Sequence, residues 1–189
     1  MVITRGVDKW KAKQWYNVHA PKLFNDVSVG EMPANDEKAA IGRNIVVSLD
    51  QLTKNPSHAY TNVVLKVTEV KAEGAQTKMV RLELVSSYIR SFVRRYRSVS
   101  NAVIPVTTKD GVRANVKLIV VTRRRTAHTK IMGLRKEMEL FVARFFQEND
   151  IDAAAQAIIE GRFQAELGAK LDHVADLSKV EVRKLEVAA

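Results

Sequence analysis

Apolar and polar positions alternate over two stretches in the first half of the chain. From Tyr60 to Val70, Val63, Leu65 and Val67 share one face. From Lys78 to Val85, Val80, Leu82 and Leu84 share one face, and Met79, Arg81, Glu83 and Val85 the other. A two-residue period predicts strands, and Gly74 between them predicts a turn, so the pair reads as a hairpin with a longer loop. Earlier, Trp15 to Ala20 has strand character that Pro21 ends, and Asn44 to Leu49 is a short β-branched run that predicts another strand. Asp26 to Gly42, rich in Gly, Pro, Asn and Asp, is expected to be a long surface loop.

After Ser86 the period becomes helical. Tyr88, Ile89, Phe92, Val93 and Tyr96 form one apolar stripe, which predicts a helix capped by Ser86 or Ser87. Arg90, Arg94 and Arg97 share another face of that helix, with Arg95 beside it. Strands are predicted over Ser98–Val106 and Val112–Thr122, joined by the turn Lys109-Asp110-Gly111. Helical spacing returns from Ala127 to Asn149 through Ile131, Leu134, Met138, Phe141 or Val142, and Phe145. Gly133 is a weak point there, worth about 1 kcal/mol against Ala. Further helices are predicted over Asp152–Glu160 and Phe163–His173, and a closing strand over Val180–Val187. This order implies an α+β fold: an antiparallel-rich β-barrel or strongly curved sheet of about six or seven strands, with one inserted helix and C-terminal helices. The expected organisation is a flexible basic N-terminal arm over 1–13 and a single α+β domain over 14–189, mainly helical over 126–175.

Composition narrows the function classes. Apolar residues make up 46 % of the 189, enough for a core. No apolar run approaches the ~20 residues of a membrane span, and the first residues have no apolar core of a secretory signal, so neither membrane nor export is expected. The absence of cysteine excludes disulfides and thiolate metal sites and fits a cytoplasmic protein.

The net charge of +10 is unevenly spread. Residues 1–85 carry 12 Lys and Arg against 9 Asp and Glu; residues 137–189 carry 6 against 11. Between them, residues 86–136 carry 13 Lys and Arg against Asp110 alone, and nine of the thirteen are Arg. Arginine's planar fork suits phosphate and base edges, whereas lysine is the usual solubility residue. Concentration of arginine in one stretch points to an electropositive face that meets a polyanion.

Catalytic patterns are missing. His19, His58, His128 and His173 are far apart and form no metal-ligand pair, and the eight glycines are scattered singly, without a phosphate-cradling loop. No cofactor, metal or small-molecule substrate is expected, and the chain is not expected to be an enzyme. The alternatives to a structural RNA-binding protein are a free RNA- or DNA-binding factor and a metal-dependent nucleic-acid enzyme whose acids the fold would have to gather.

Three features locate the RNA-binding residues. The first is the helix row of Arg90, Arg94, Arg95 and Arg97. The second is Arg123-Arg124-Arg125 at a strand end, where rigid backbone would hold the guanidiniums for bidentate phosphate contacts. The third is a helix start carrying Thr126, His128, Thr129, Lys130, Arg135 and Lys136. Basic residues there oppose their own helix dipole, which makes sense if an external phosphate sits on the free N–H groups. Aromatics make up only 6 %, most fall on apolar stripes, and the paired exposed aromatics of a single-strand stacking platform are missing. The reading is therefore of structured RNA recognised by its backbone.

The motifs resemble a known family. Trp15-Tyr16-Asn17-Val18-His19-Ala20-Pro21-Lys22-Leu23-Phe24 is similar to the W-Y-x-V-x-A-P-x-x-F signature of the archaeal and eukaryotic small-subunit ribosomal proteins of the S-three-A type, also called e-S-one. Val47-Ser48-Leu49-Asp50-Gln51-Leu52, Val106 to Gly111, and Arg123 to Lys136 with its R-K-x-M ending resemble three further elements of that family. The resemblance covers roughly residues 9–189. It implies a β-barrel-like core with helices and a place on the platform of the small ribosomal subunit near the messenger exit side. The implied partners are small-subunit ribosomal RNA, neighbouring platform proteins and messenger RNA near the exit. The chain lacks the long basic C-terminal extension of the eukaryotic members and resembles the compact archaeal form. The resemblance also widens the expected footprint to secondary contacts at Lys9, Lys11, Lys13, Trp15 and Lys22.

Overall fold

The computed structural model describes Trp10, residues 13–71 and residues 74–187. The expected flexible arm over 1–13 lies, apart from Trp10 and Lys13, outside the described residues. Eight strands and six helices run in the order β1 (Gln14–His19), β2 (Ser28–Ala34), α1 (Glu37–Ala40), β3 (Asn44–Ser48), α2 (Leu49–Thr53), β4 (Thr61–Lys71), β5 (Gly74–Leu84), α3 (Ser86–Phe92), β6 (Val99–Thr107), β7 (Arg113–Thr122), α4 (His128–Glu148), α5 (Ile151–Ile159), α6 (Arg162–Leu171) and β8 (Leu177–Val187).

All eight strands belong to one sheet. Strands β3, β4, β5, β8, β7 and β6 run side by side, each antiparallel to the next. The β1–β2 hairpin joins through a short parallel contact, Val18 beside Ala75 and His19 beside Gln76. The α+β expectation holds, but closure into a barrel does not. The outer strands β3 and β6 do not pair with each other, and the strand count is eight.

The added strand is β2, inside the segment expected to be a loop. Gly30 and Pro33 argue against a strand by propensity. An edge strand tolerates both, because proline's missing N–H need not enter a ladder. Arg43 satisfies the Pro33 carbonyl, donating through Nη1 at 2.8 Å.

Strand β5 departs from its expected alternation at Val80. Leu65 pairs with Met79 and Val64 with Arg81, so Val80 has no opposite number on β4. One extra residue reverses which side chains face the core. Thr77 and Met79 are buried before it and Leu82 after it, whereas simple alternation put Val80 with Leu82 and Met79 on the opposite face. At this point β5 also changes neighbour, from β1 at its start to β8 at Arg81–Glu83.

Helices α4, α5 and α6 cover one face of the sheet, with α4 on β6 and α6 on β8. The predicted α4 stripe is buried at Leu134, Met138, Phe141 and Val142, but Ile131 and Phe145 are half-buried and Phe146 is the fully buried ring; Phe163 and Leu167 of α6 are fully buried as well. Phe145 and Phe163 meet edge to face with centroids 4.9 Å apart. Asn149 ends α4, as its sequence suggests, and donates from Nδ2 to the Phe145 carbonyl at 2.8 Å. Helix α3 lies on the opposite face, where Phe92 packs with Ile119 and Val121 of β7.

Beside α3, that second face carries charge. Lys117 and Lys184 lie opposite each other on β7 and β8. Glu186 joins them, 3.2 Å from Lys117 and 2.6 Å from Lys184, and also meets Arg81 at 3.2 Å. The Lys184 hydrogen bond outweighs desolvation and, with Lys117, holds the Glu186 carboxyl below its ordinary value. A lowered folded-state value means the stabilisation is present above the unfolded carboxylate range and is lost as pH falls through the folded value. Glu186→Gln is therefore expected to lower stability at pH 7, by less than about 1 kcal/mol given solvent screening, and to lose that difference in acid. Urea unfolding at pH 7 and pH 3 checks this. An equal difference at both pH values would contradict it.

Two glycines make opposite predictions. A Cβ on Gly74 (φ 143°) would come within 2.5 Å of the Asn17 carbonyl oxygen, where β1 meets β5. One on Gly133 would meet Val174 Cγ1 at 3.5 Å, an ordinary contact. Thermal melts should show Gly74→Ala destabilised by more than about 2 kcal/mol and Gly133→Ala stabilised by about 0.5–1 kcal/mol.

Candidate nucleic-acid interface

Strand β7 begins at the exposed Arg113 and ends with five consecutive buried residues, Leu118 to Thr122. Both faces of that last stretch are covered, by α3 on one side and the α4–α6 layer on the other. Arg123 to Arg125 emerge directly from it. Their position is set by pairing on both flanks, Val99 with Val121 from β6 and Leu177 with Thr122 from β8. The loops 93–98, 123–127 and 172–176 therefore meet at one end of the sheet.

Hydrogen bonds tie these loops together. Thr122 is 2 % exposed; its N–H donates to the Ser98 carbonyl at 3.0 Å, and its Oγ1 accepts from the Ser98 N–H at 3.1 Å. The same hydroxyl donates to the Arg124 carbonyl at 2.6 Å. Thr126 N–H donates to Ser98 Oγ at 2.9 Å. Arg123 N–H donates to the Asp176 carbonyl at 3.0 Å, and its Nε donates to the Leu177 carbonyl at 3.1 Å, 3.3 Å from the Asp176 carboxylate. Arg97 Nη1 donates to Ser178 Oγ at 3.0 Å.

The expected arginine row does not exist as a helix face. Helix α3 ends at Phe92, and Val93 leaves with extended geometry. Only Arg90 is helical; Arg94, Arg95 and Arg97 lie on the loop to β6. A longer helix could not deliver the chain to Val99, where it must pair with Val121. The arginines nonetheless reach the same end of the sheet as Arg123 to Arg125. Arg90, Arg94, Arg95, Arg124 and Arg125 are exposed, and none forms an ion pair among the described residues. Arg123 and Arg97 act instead as struts. His128, Thr129 and Lys130 are exposed in the first turn of α4, which contains no acid and whose Ala127 cap makes no side-chain bond. Thr126 is half-buried through its bond to Ser98.

Arg135 and Lys136 lie about 10 Å further along α4 at 1.5 Å per residue. Lys136 is exposed, while Arg135 is half-buried with its Nε shielded from solvent. The remaining cations of the basic stretch are elsewhere. Lys117 is committed to Glu186, and Lys109 and Arg113 flank the β6–β7 turn at the other end of the sheet.

Of the residues expected to make secondary contacts, Lys13, Trp15 and Lys22 are not at the arginine end. By register, β1 meets the start of β5, whereas the arginine end lies beyond the end of β5. Lys13 sits over the Trp10 ring at 4.1 Å, Trp15 is 60 % exposed opposite Pro33, and Lys22 is exposed in the short turn after β1. Lys9 and Lys11 lie outside the described residues.

Sequence reasoning missed Ser98, Thr122, Asp176 and Ser178, the residues that bind the loops. Nothing in their local pattern marks them, because each acts on a distant segment. No cluster of three or more His, Asp or Glu side chains able to hold a metal occurs among the described residues. A groove of about 810 Å³ at the other end is lined by Val80, Val112, Val187, Lys66, Lys78 and Arg113, with no acid or histidine for proton transfer.

Thr122→Val keeps the shape and removes the hydroxyl. Expected are a loss of about 1–2 kcal/mol and faster amide exchange at Ser98 and across 123–127. Unchanged exchange would contradict the hydroxyl's role in fixing these loops.

Comparison with known sequences agrees with the motifs. The profile of the Ribosomal S3Ae family matches residues 3–189. Small ribosomal subunit protein eS1 of Saccharolobus islandicus is 34 % identical over 180 residues, covering 95 % of this chain and 86 % of that protein. The eS1 protein of Saccharolobus solfataricus matches with the same identity and coverage. With the profile spanning nearly every residue and these relatives matched over most of their length, the chain belongs to the Ribosomal S3Ae family.

Proposed function

We propose that this protein is a structural, non-catalytic component of the small ribosomal subunit that grips ribosomal RNA with the arginine end of its sheet. Family membership supports the ribosomal role. One observation carries the choice of surface. Topology brings two arginine clusters, distant in sequence, to one end, and leaves Arg90, Arg94, Arg95, Arg124 and Arg125 exposed without carboxylate partners among the described residues. Elsewhere on the sheet the arginines do not cluster: Arg81 is neutralised by Glu186, and Arg113 and Arg183 stand singly on β7 and β8. A cationic cluster on anchored loops suits a phosphate backbone, because forks already held in place lose less freedom on binding. The first turn of α4, with free N–H groups and no acid, adds a further attraction for phosphate.

The position on the platform near the messenger exit, the neighbouring platform proteins and a messenger contact belong to this proposal through the family motifs at Trp15–Phe24 and Arg123–Lys136. Lys13, Trp15 and Lys22 then form a second, separate contact. The acidic segment 137–189, with 11 Asp and Glu against 6 Lys and Arg, faces protein or solvent apart from residues 172–178, which brace the arginine end.

The protein should co-sediment with small subunits in high-magnesium gradients; recovery only in free fractions would overturn the ribosomal role. On purified small-subunit RNA, Arg124→Gln with Arg125→Gln should weaken binding and flatten the dependence of log K on log salt by about 1 per lost contact. Arg144→Gln, whose guanidinium already pairs with Glu148 at 3.0 Å, should leave the slope unchanged. Equal slopes for all three proteins would argue against phosphate gripping at this end.

A further inference from the structure

We propose that Tyr96 is a stacking platform for an unpaired nucleobase of the bound RNA, an inference that rests on the RNA-interface reading above. Tyr96 belongs to the helical stripe by spacing, eight residues after Tyr88, but it is not in the core. Tyr88, Ile89 and Phe92 dock on Val99, Ile119 and Val121, and the helix stops before Tyr96 is reached. The residue is 86 % exposed, more than any other large hydrophobic residue among those described. The other solvent-facing rings differ. Tyr60 stacks on Tyr88 at 4.8 Å, Trp10 lies under Lys13, and Trp15, 60 % exposed, sits opposite Pro33 on the β1–β2 hairpin, away from the arginine end.

The backbone at Tyr96 is also unfavourable. Its φ of 63° lies in the left-handed region, which glycine or asparagine adopts readily and a bulky side chain does not. The isolated fold thus gains nothing from the ring, and a glycine would suit the turn better. Strain kept at an exposed position is the pattern of a binding site.

The loop around the ring is short and fixed at both ends. Arg94 Nε donates to the Ser91 carbonyl at 3.2 Å, Arg97 donates to Ser178 Oγ, and Ser98 is locked to Thr122 and Thr126. Arg94, Arg95 and Arg97 flank the ring on both sides in sequence. A protein partner for an exposed aromatic would be expected to find an aliphatic surround. Here the sequence neighbours are guanidiniums and Val93 is the loop's one exposed aliphatic side chain, so the complementary ligand offers a flat π face between phosphates, as a splayed nucleotide does. The backbone recognition read from the sequence gains one base contact.

Binding of Tyr96→Phe, Tyr96→Ala and Tyr96→Gly to purified small-subunit RNA, measured across a salt series, tests this. Phe should retain affinity. Ala and Gly should lose roughly 5- to 150-fold, the range for one stacked base, with an unchanged salt slope. Gly should lose binding while its melting temperature stays level or rises, since it relieves the left-handed strain; that separates the ring's role in binding from any role in folding. Base-specific chemical probing should show one unpaired nucleotide protected by the wild type and exposed with the Ala variant. Wild-type affinity for both Ala and Gly would overturn the inference, including the outcome in which Tyr96 anchors a protein instead. If Arg124→Gln with Arg125→Gln still weakens binding, the RNA interface survives without Tyr96; if it does not, both fail.

Discussion

Burial of the end of β7 on both faces is the constraint on which the arrangement depends. Leu118, Val120 and Thr122 alternate with Ile119 and Val121, and all five are buried because α3 closes one face and the α4–α6 layer the other. A strand paired on both sides and covered on both faces has little freedom, and residues 123–127, leaving directly from its end, inherit that rigidity. Arg123 can therefore act as a strut to Asp176 and Leu177, Thr122 can hold Ser98, and the remaining guanidiniums project from a fixed base. Without β7 in place, the arginine segments would be two unrelated loops about thirty residues apart in sequence.

The two faces and two ends of the sheet handle charge differently. On the β5–β8–β7 face, Arg81, Lys117 and Lys184 are interleaved with Glu83 and Glu186, so positive charge is neutralised where it is half-buried. Near α3, Glu181 is the exception: burial pushes its carboxyl above the ordinary value, against the pull of Lys179 and Tyr88. At the arginine end, by contrast, the cations are exposed and mostly unpaired. Uncompensated like charges repel, so gathering them lowers the stability of the free protein. The arrangement becomes favourable when a polyanion supplies the missing charge.

Long periodic segments are legible in the sequence. The helical stripe of α4 through Leu134, Met138 and Val142 and the strands β6 and β7 lie where the pattern predicts them, since a strong period leaves one face for the core. Three features are hidden, each for a non-local reason. Strand β2 contains Gly30 and Pro33 and exists only because it lies at an edge. Helix α3 stops at Phe92 because the pairing of Val99 with Val121 dictates where the chain must arrive, and the apolar Val93 and Tyr96 carry no stop signal. The unpaired Val80 shifts β5 by one residue, which alternation cannot foresee. The basic stretch 86–136 stands out as a charge concentration from sequence alone. Its division into an arginine end, a neutralised Lys117, and Lys109 with Arg113 at the far end depends on strand direction, which a charge count does not contain.

The most direct test of the central claim, that strand pairing assembles one RNA-facing arginine end, is ultraviolet crosslinking of intact small subunits with identification of the RNA-linked peptides. The account predicts links from both 90–98 and 123–130, separated in sequence but joined to neighbouring nucleotides. Links confined to the opposite end, around Lys66, Lys78 and Arg113, or to the acidic helices, would contradict it.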